Sequence, residues 1–338
     1  MSSTIELSLE PKLAFLRQPS SYPEPTYRVE AIETHMSWVF LTDAFAYKLK
    51  KPVCHGALDF RKVESRRFYC EEEIRLNRRL APGVYLGVVP LSLDPHGHLH
   101  LRSNSHVTDW LVRMHRLPSE RMLDYLIRKG QADPADMRKI AMVLAAFYRQ
   151  ASVPDVQASE YRMRMEHEID FNFATLTLPA YALPVERIRR VCAMQQHFLE
   201  EGLDRLEARV CAGRIVEGHG DLRPEHVCLG TELAIIDCLE FSRALRTVDA
   251  AEEIAFLALE CERLEAPQLG NALLDAYMSA SGDTPEKSLV HFYQSFRAGS
   301  RARIAIQHLD EEKFRHSPEW RRRAMDYLRL AEEHAGNL

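Results

Sequence analysis

The sequence predicts an α+β protein of two lobes, with a strand-rich N-terminal lobe carrying one helix and a larger, mainly helical C-terminal lobe. Three observations lead there. Up to Leu117 the chain is dominated by alternating, β-branched and aromatic segments set off by turn residues. Beyond it, apolar residues recur at helical spacing over 135–150, 185–210 and 284–335. Inside that helical half, residues 215–241 form an island in which two short apolar runs, VCLG and ELAIID, are enclosed by polar loops. A length of 338 residues suits two lobes, and the change of pattern near Arg116 to Ser119 divides them into 1–116 and 117–338.

Taken in order, Val29 to Val53 reads as two strands joined at Thr42 and Asp43. From Lys62 to Leu80, Tyr69, Glu73, Leu76 and Leu80 share one helical face, and Ala81 and Pro82 end the helix. VYLGVVPLSL and HLHLRS flank the turn DPHG, and TDWLVRMHRL follows as another strand. His96, His98 and His100 alternate through that hairpin, which reads as solvated because no cysteine or carboxylate is grouped beside them. In YRMRMEHEIDF, Met163 and Met165 cannot both face inward on a helix, so at most one is core.

Composition excludes several classes. Hydrophobic residues make up 46% and charged residues 28%, an ordinary globular balance, and the net charge of −5 argues against a nucleic-acid partner. Seven dispersed cysteines without a Cys-x-x-Cys pair suit a reducing cytoplasm. Glu6 and Glu10 interrupt the apolar stretch a leader needs, and no run approaches membrane-spanning length.

The chemistry gathers in HGDLRPEHVCLGTELAIIDCLEF, residues 219–241. Asp237 directly follows the apolar run LAII, so a buried strand would hold its carboxylate rigidly, as a Mg²⁺ ligand requires. Asp221 sits in the preceding polar loop, where a carboxylate accepts a proton from an attacking hydroxyl. Phosphoryl transfer needs little beyond these two and a cation on the nucleotide phosphates, because its catalysis is mainly positioning and charge neutralisation. In AFAYKLKKPV the period-two rule places Ala46, Lys48 and Lys50 on one strand face and Lys51 on the other. Lys48 is the expected phosphate cation and Ala46 the floor of an adenine site, with Lys50 as the competing choice. Glu73 is the expected anchor for that lysine because it shares a face with Leu76 and Leu80, with Glu72 as its rival.

Three segments, FLTDAFAYKLKKPV, CEEEIRLNRRLAP and HGDLRPEH, make the chain resemble the aminoglycoside phosphotransferase-like branch of the protein-kinase-like fold, in particular an uncharacterised bacterial subfamily carrying these motifs. The likeness spreads over residues 29 to about 260. It implies that 1–116 is a nucleotide-binding lobe and 117–338 a catalytic and substrate lobe, that Lys48 meets the α- and β-phosphates of ATP, and that Glu73 holds Lys48. It further implies that Asp221 is the catalytic base, His219 braces its loop, Asp237 binds Mg²⁺, and Asp249 supports the catalytic loop. Met114, within Arg113 to Arg116, would lie at the hinge where backbone groups meet adenine. Members of this subfamily are often fused to a P-loop domain, and this chain contains no G-x-x-x-x-G-K motif.

The chain departs from the family pattern twice. Five residues after the catalytic aspartate, where an asparagine usually binds a second metal, stands His226, a candidate metal ligand and catalytic residue; imidazole is a poor Mg²⁺ ligand, and the alternative is a hydrogen bond to a phosphate oxygen or Asp221. The nucleotide-covering loop reads ETHMSW without glycine, leaving the Ser37 hydroxyl as its phosphate contact. Arg297, Arg301 and Arg303 in FRAGSRARIAIQHL form a local basic patch, read first as a solvated helix face and second as a receiver for an anionic substrate. The expected function is an ATP- and Mg²⁺-dependent phosphotransferase acting on a small-molecule hydroxyl, and the alternative is a catalytically weak, kinase-like nucleotide-binding regulator or scaffold.

Overall fold

A computed structural model describes residues 7–55, 58–102 and 106–338. The start of the chain with Glu6, and Ser103 at the end of HLHLRS, lie outside the described residues. Packing divides the chain into two compact units, Met1–Met122 with His226–Arg243, and Leu123–Glu225 with Ala244–Leu338.

The first unit begins with α1 (Leu9–Leu16) and runs through β1 (Glu30–Glu33), β2 (Ser37–Leu41), β3 (Phe45–Lys50), β4 (Cys54–His55), β5 (Leu58–Asp59), α2 (Val63–Asn77), β6 (Tyr85–Leu93), β7 (Leu99–His100) and β8 (Val107–His115). The second opens with α3 (Leu123–Arg128), α4 (Pro134–Gln150), α5 (Ala158–Leu176), α6 (Val185–Glu201), α7 (Leu203–Cys211) and β9 (Ile215–Glu217). The hairpin β10 (Val227–Leu229) and β11 (Leu233–Ile235) belongs to the first unit. After it come α8 (Arg243–Arg246), β12 (Thr247–Asp249), α9 (Ala250–Arg263), α10 (Pro267–Ser281), α11 (Lys287–Gln307) and α12 (Pro318–Ala335).

Six strands of the first unit form one sheet in the order β1-β2-β3-β8-β6-β7, each antiparallel to its neighbours. Strand alternation sorts β3 between two cores. Tyr47 and Leu49 pack with Phe40, Leu91, Leu111 and the α1 residues Leu13 and Leu16. Ala46 packs on the other side with Val112, Met114, the α2 residues Cys70 and Ile74, and Cys228 and Ala234 of the hairpin. A buried charge cluster ties both helices to β8: Asp109 accepts from Arg66 Nε at 2.7 Å and Nη2 at 3.0 Å, and from Lys12 Nζ at 2.7 Å.

The second unit is helical, its core drawn from Tyr161 and Ile169 of α5, Phe198 of α6, Phe256 of α9, Phe292 of α11 and Tyr327 of α12. Met165 is buried there while Met163 is exposed, as the helical period requires. The helical spacing over 185–210 is carried by two helices, α6 and α7, with Gly202 between them. The segment 284–335 divides likewise, since α12 restarts with Pro318 in its first turn, where a missing N–H costs nothing.

One polar contact inside this unit sets a pH dependence. His291 Nδ1 lies 3.0 Å from His334 Nδ1, and His334 Nε2 lies 2.9 Å from Glu262 Oε2. Burial, then the facing His334, hold His291 below the ordinary imidazole value; Lys287 acts the same way and Glu262 opposes. The hydrogen bond from His334 holds Glu262 below the ordinary carboxylate value. A depressed imidazole means that the unfolded chain binds more protons, so stability falls as pH drops below about 6.5. A depressed carboxylate loses its contribution as pH drops below about 4.3, so both groups act in the same direction. The melting temperature should therefore decline on acidification from an onset near pH 6.5, and His291→Gln should flatten the upper part of that decline. Identical melting curves for the two proteins across this range would contradict the assignment.

Candidate active site

In the first unit, β3 and α2 bring two lysines to one carboxylate. Lys48 Nζ lies 2.9 Å from Glu73 Oε1, and Lys50 Nζ lies 2.7 Å from Glu73 Oε2. The two ammonium groups then diverge: Lys48 reaches Asp237 Oδ1 at 2.8 Å, whereas Lys50 pairs with Glu240. Exposure separates their roles, because the Lys50 side chain is 1% exposed and that of Lys48 13%, while Asp237 is 47% open. Lys50 is sealed into the structure, and Lys48 with Asp237 borders solvent. Burial opposes charge on Lys48, yet the carboxylates of Asp237 and Glu73 outweigh it and hold the ammonium well above its ordinary value. Burial pushes Glu73 the other way, and Lys48 and Lys50 overcome it to keep the group ionised. Glu72 lies on the outer face of α2, paired with Arg75.

Asp237 is positioned by hairpin register. Val227 pairs with Ile235, and beyond that pair the Ile236 N–H donates to the His226 carbonyl, bringing His226 beside Asp237 with Nε2 3.5 Å from Oδ2. The Asp237 N–H donates to the Tyr85 hydroxyl at 3.2 Å, and the next amide, of Cys238, donates to Asn77 Oδ1 at 2.9 Å. These contacts hold Asp237 at φ +63°, a left-handed conformation uncommon for any residue with a Cβ but less costly for aspartate than for most.

In the second unit the loop 218–225 is organised by Glu253 of α9. The His219 N–H donates to both Glu253 oxygens at 2.9 Å, the Gly220 N–H donates to Oε1, and the Tyr148 hydroxyl donates to Oε2 at 2.9 Å. Gly218 permits this approach, since a Cβ there would meet Glu253 Oε2 at 2.5 Å, and Gly220 permits the turn at φ +92°. His219 is fully buried and its Nδ1 accepts the Asp221 N–H at 3.3 Å, aiming the Asp221 carboxylate. That carboxylate accepts from Arg223 Nε at 3.0 Å, and Arg301 Nη1 stands 3.8 Å away.

No family model matches the chain. Uncharacterized proteins of Mycobacterium tuberculosis and Mycobacterium bovis are 33% identical over 312 residues, which is 90% of this chain but 59% of theirs, so the chain spans under two thirds of the length of the curated relatives it matches. Among solved structures, a choline/ethanolamine kinase family protein from Mesorhizobium loti aligns over 96% of this chain and 94% of its own at 13% identity and a TM-score of 0.57. The choline kinase of Cryptosporidium parvum aligns over 96% and 95% at 11% identity and a TM-score of 0.53. The chain has the protein-kinase-like fold. An aminoglycoside phosphotransferase of Streptomyces rimosus, solved with ADP and streptomycin, shares it over 87% of this chain and 98% of its own, at 13% identity and a TM-score of 0.50.

Within this kinase-like fold the residues singled out from sequence fall into two groups. Lys48, Glu73, His226 and Asp237 meet in the first unit, and His219 and Asp221 meet in the second. Met114 is buried on β8 directly opposite Ala46. Ser37 is buried at the start of β2, its N–H donating to Thr34 Oγ1 at 3.0 Å. Asp249 caps α9 and binds Arg209 and Tyr293, so the amides of His219 and Gly220 are held by Glu253 instead. Of the three patch arginines, Arg297 pairs with Glu252 at 2.7 Å, Arg303 pairs with Glu168, and Arg301 faces Asp221. Sequence reading missed Glu253, Glu240 and Tyr85, each remote in sequence from the group it serves. Among the described residues no group of three or more His, Cys, Asp or Glu side chains forms a metal cage, and the donors at Asp237 are one carboxylate with one imidazole beside it. A hard carboxylate donor of this kind fits Mg²⁺, which is commonly bound through one or two carboxylates. No helix of the described residues is long and apolar enough to cross a membrane.

Proposed function

We propose that the chain is a cytoplasmic, ATP-dependent phosphotransferase acting on the hydroxyl of a small molecule, with 1–116 as its nucleotide-binding lobe and 117–338 as its catalytic and substrate lobe. The observation that carries this reading is the Lys48–Glu73–Asp237 cluster: a largely buried lysine at the solvent edge, held charged by Asp237 and a sealed glutamate, with the Asp237 carboxylate exposed on a rigid hairpin. Such a lysine meets phosphate oxygens as a point charge. The neighbour solved with ADP and streptomycin supports a nucleotide and a small hydroxyl compound as ligands. Ala46 leaves room for adenine beside Met114, Lys48 steadies the α- and β-phosphates, and Asp221 takes the proton of the attacking hydroxyl. Mg²⁺, when bound, would be held by Asp237 and would neutralise charge on the phosphate oxygens.

The two lysines test the reading. Lys48→Met should weaken ATP binding by calorimetry by about tenfold or more, the loss of one charge-assisted contact. Lys50→Met leaves Glu73 and Glu240 buried beside one cation fewer and should cost about 3–5 kcal/mol of stability. Unaltered ATP affinity in Lys48→Met would remove the nucleotide assignment.

A second reading, a kinase-like protein that binds nucleotide with little turnover, is favoured by one contact, His226 beside the Asp237 carboxylate at 3.5 Å. Under the first reading native turnover is robust, and His226→Asn stays within about tenfold of it. A larger rise from a nearly silent native protein would establish the second.

A further inference from the structure

The loop carrying Asp221 is ringed by four guanidinium groups from four separate elements of the second unit: Arg223 of the loop itself, Arg263 at the end of α9, Arg301 of α11 and Arg323 of α12. Two groups gather them. Glu225 Oε1 lies 3.5 Å from Arg223, 3.8 Å from Arg263 and 3.8 Å from Arg323. The Tyr327 ring carries the Arg263 guanidinium 5.5 Å above its centre and that of Arg301 at 6.0 Å. The carboxylates among them are Asp221, Glu225 and Glu260, so four cations face three anions. Glu260 is already engaged, accepting from Arg263 Nε at 2.8 Å and from the Tyr327 hydroxyl at 2.6 Å.

Among the described residues, Arg301 Nε, Arg263 Nη2 and the Glu225 Oε2 acceptor are buried without a hydrogen-bond partner, and the Arg301 guanidinium stands 3.8 Å from Asp221, beyond hydrogen-bonding range. Buried guanidinium N–H groups left unpaired are costly, and guanidinium forks are matched geometrically by carboxylate and phosphate. Arg297 and Arg303, the other arginines of the α11 patch, have carboxylate partners of their own, which singles out Arg301 as the one turned to Asp221.

We propose that the acceptor of this chain is an anionic alcohol, a hydroxyl compound bearing a carboxylate or phosphate group that Arg263, Arg301 and Arg323 bind while its hydroxyl faces Asp221. The inference rests on the phosphotransferase reading for the word acceptor, and on the arginine ring for the word anionic. In the step it implies, the acceptor oxygen bonds to the γ-phosphorus of ATP and its proton passes to Asp221. The bond from that phosphorus to the β,γ-bridging oxygen breaks, and ADP leaves with the electron pair. A cationic alcohol would bring a like charge to the ring and be disfavoured.

The test has two arms, both on the full chain. In the first, inorganic phosphate is the probe and binding is followed by calorimetry in native protein, Arg301→Gln, Arg323→Gln and Lys48→Met. Binding should weaken by roughly tenfold in either arginine variant, as one charge-assisted contact is lost, and Lys48→Met should retain a site of native affinity. Arg323 is the more exposed of the two, so its variant carries the test if Arg301→Gln fails to fold. No phosphate binding, or binding lost only in Lys48→Met, overturns the inference. In the second arm, ATP-dependent phosphorylation of glycerate and glycerol 3-phosphate is compared with that of choline and glucosamine. Transfer confined to the two cations overturns the inference while leaving the phosphotransferase reading intact. Phosphate binding at the ring without ATP binding anywhere would sink the phosphotransferase reading and leave the anion site standing.

Discussion

Replacing Asp221 with asparagine should lower ATP-dependent phosphoryl transfer by about 10²–10⁴-fold, the usual contribution of a positioned general base. The side chain keeps its size, and its loop is held from elsewhere, by the Glu253 carboxylate on the amides of His219 and Gly220. The loss should therefore appear in turnover with ATP affinity unchanged. Asp221 is the residue best isolated for such a test. His219 Nδ1 orients its backbone, Arg223 steadies its carboxylate, and its side chain is only 20% exposed. Burial opposes charge on Arg223, and Asp221 and Glu225 outweigh it, holding the guanidinium above its ordinary value beside the Asp221 carboxylate. Measured by steady-state turnover and by calorimetric titration of ATP, equal turnover in the variant and the native protein would end the assignment of Asp221 as base.

The largest stability effect is expected at Asp249, which is fully buried and accepts four hydrogen bonds: from Arg209 Nε at 2.7 Å, Arg209 Nη2 at 2.6 Å, the Tyr293 hydroxyl at 2.8 Å and the Ala251 N–H at 2.8 Å. Removing it strands a guanidinium whose remaining partner is Asp283. Asp249→Ala should cost about 3–5 kcal/mol, the penalty of an uncompensated buried charge. For a unit of this size that is a fall of roughly 6–20 °C in melting temperature. Removing both partners should cost less than the sum of the single losses, because the Arg209–Asp249 contacts are counted in each of them, so Arg209→Met should cost less in the Asp249→Ala background than in the native protein. Additive losses in that cycle would show that the pair does not act as a unit.

The fold was legible where a local period decided it. In β3 a two-residue alternation placed Ala46, Lys48 and Lys50 on one face, and that is the face that meets α2. The choice between the two lysines was not legible, because alternation makes them equivalent and only the closure over Lys50 by Glu240, almost two hundred residues away, seals one of them. Glu253 illustrates the same limit. In sequence it is a first-turn acid favourable to the α9 dipole, and nothing local says that two amides of a loop thirty-four and thirty-three residues earlier converge on it. Over 185–210 the apolar spacing announced helix but not its interruption, since the spacing continues across Gly202 while the backbone does not.

The left-handed backbone at Asp237 bears on what can replace it. That position answers to two independent demands, one for a negative charge and one for a chain reversal that most side chains resist. Asparagine meets the second without the first, glycine meets the second while freeing the chain, and alanine meets neither. A lineage that gave up the charge at this position but kept its shape would have few routes open, and asparagine or glycine would be the residues that record its passage.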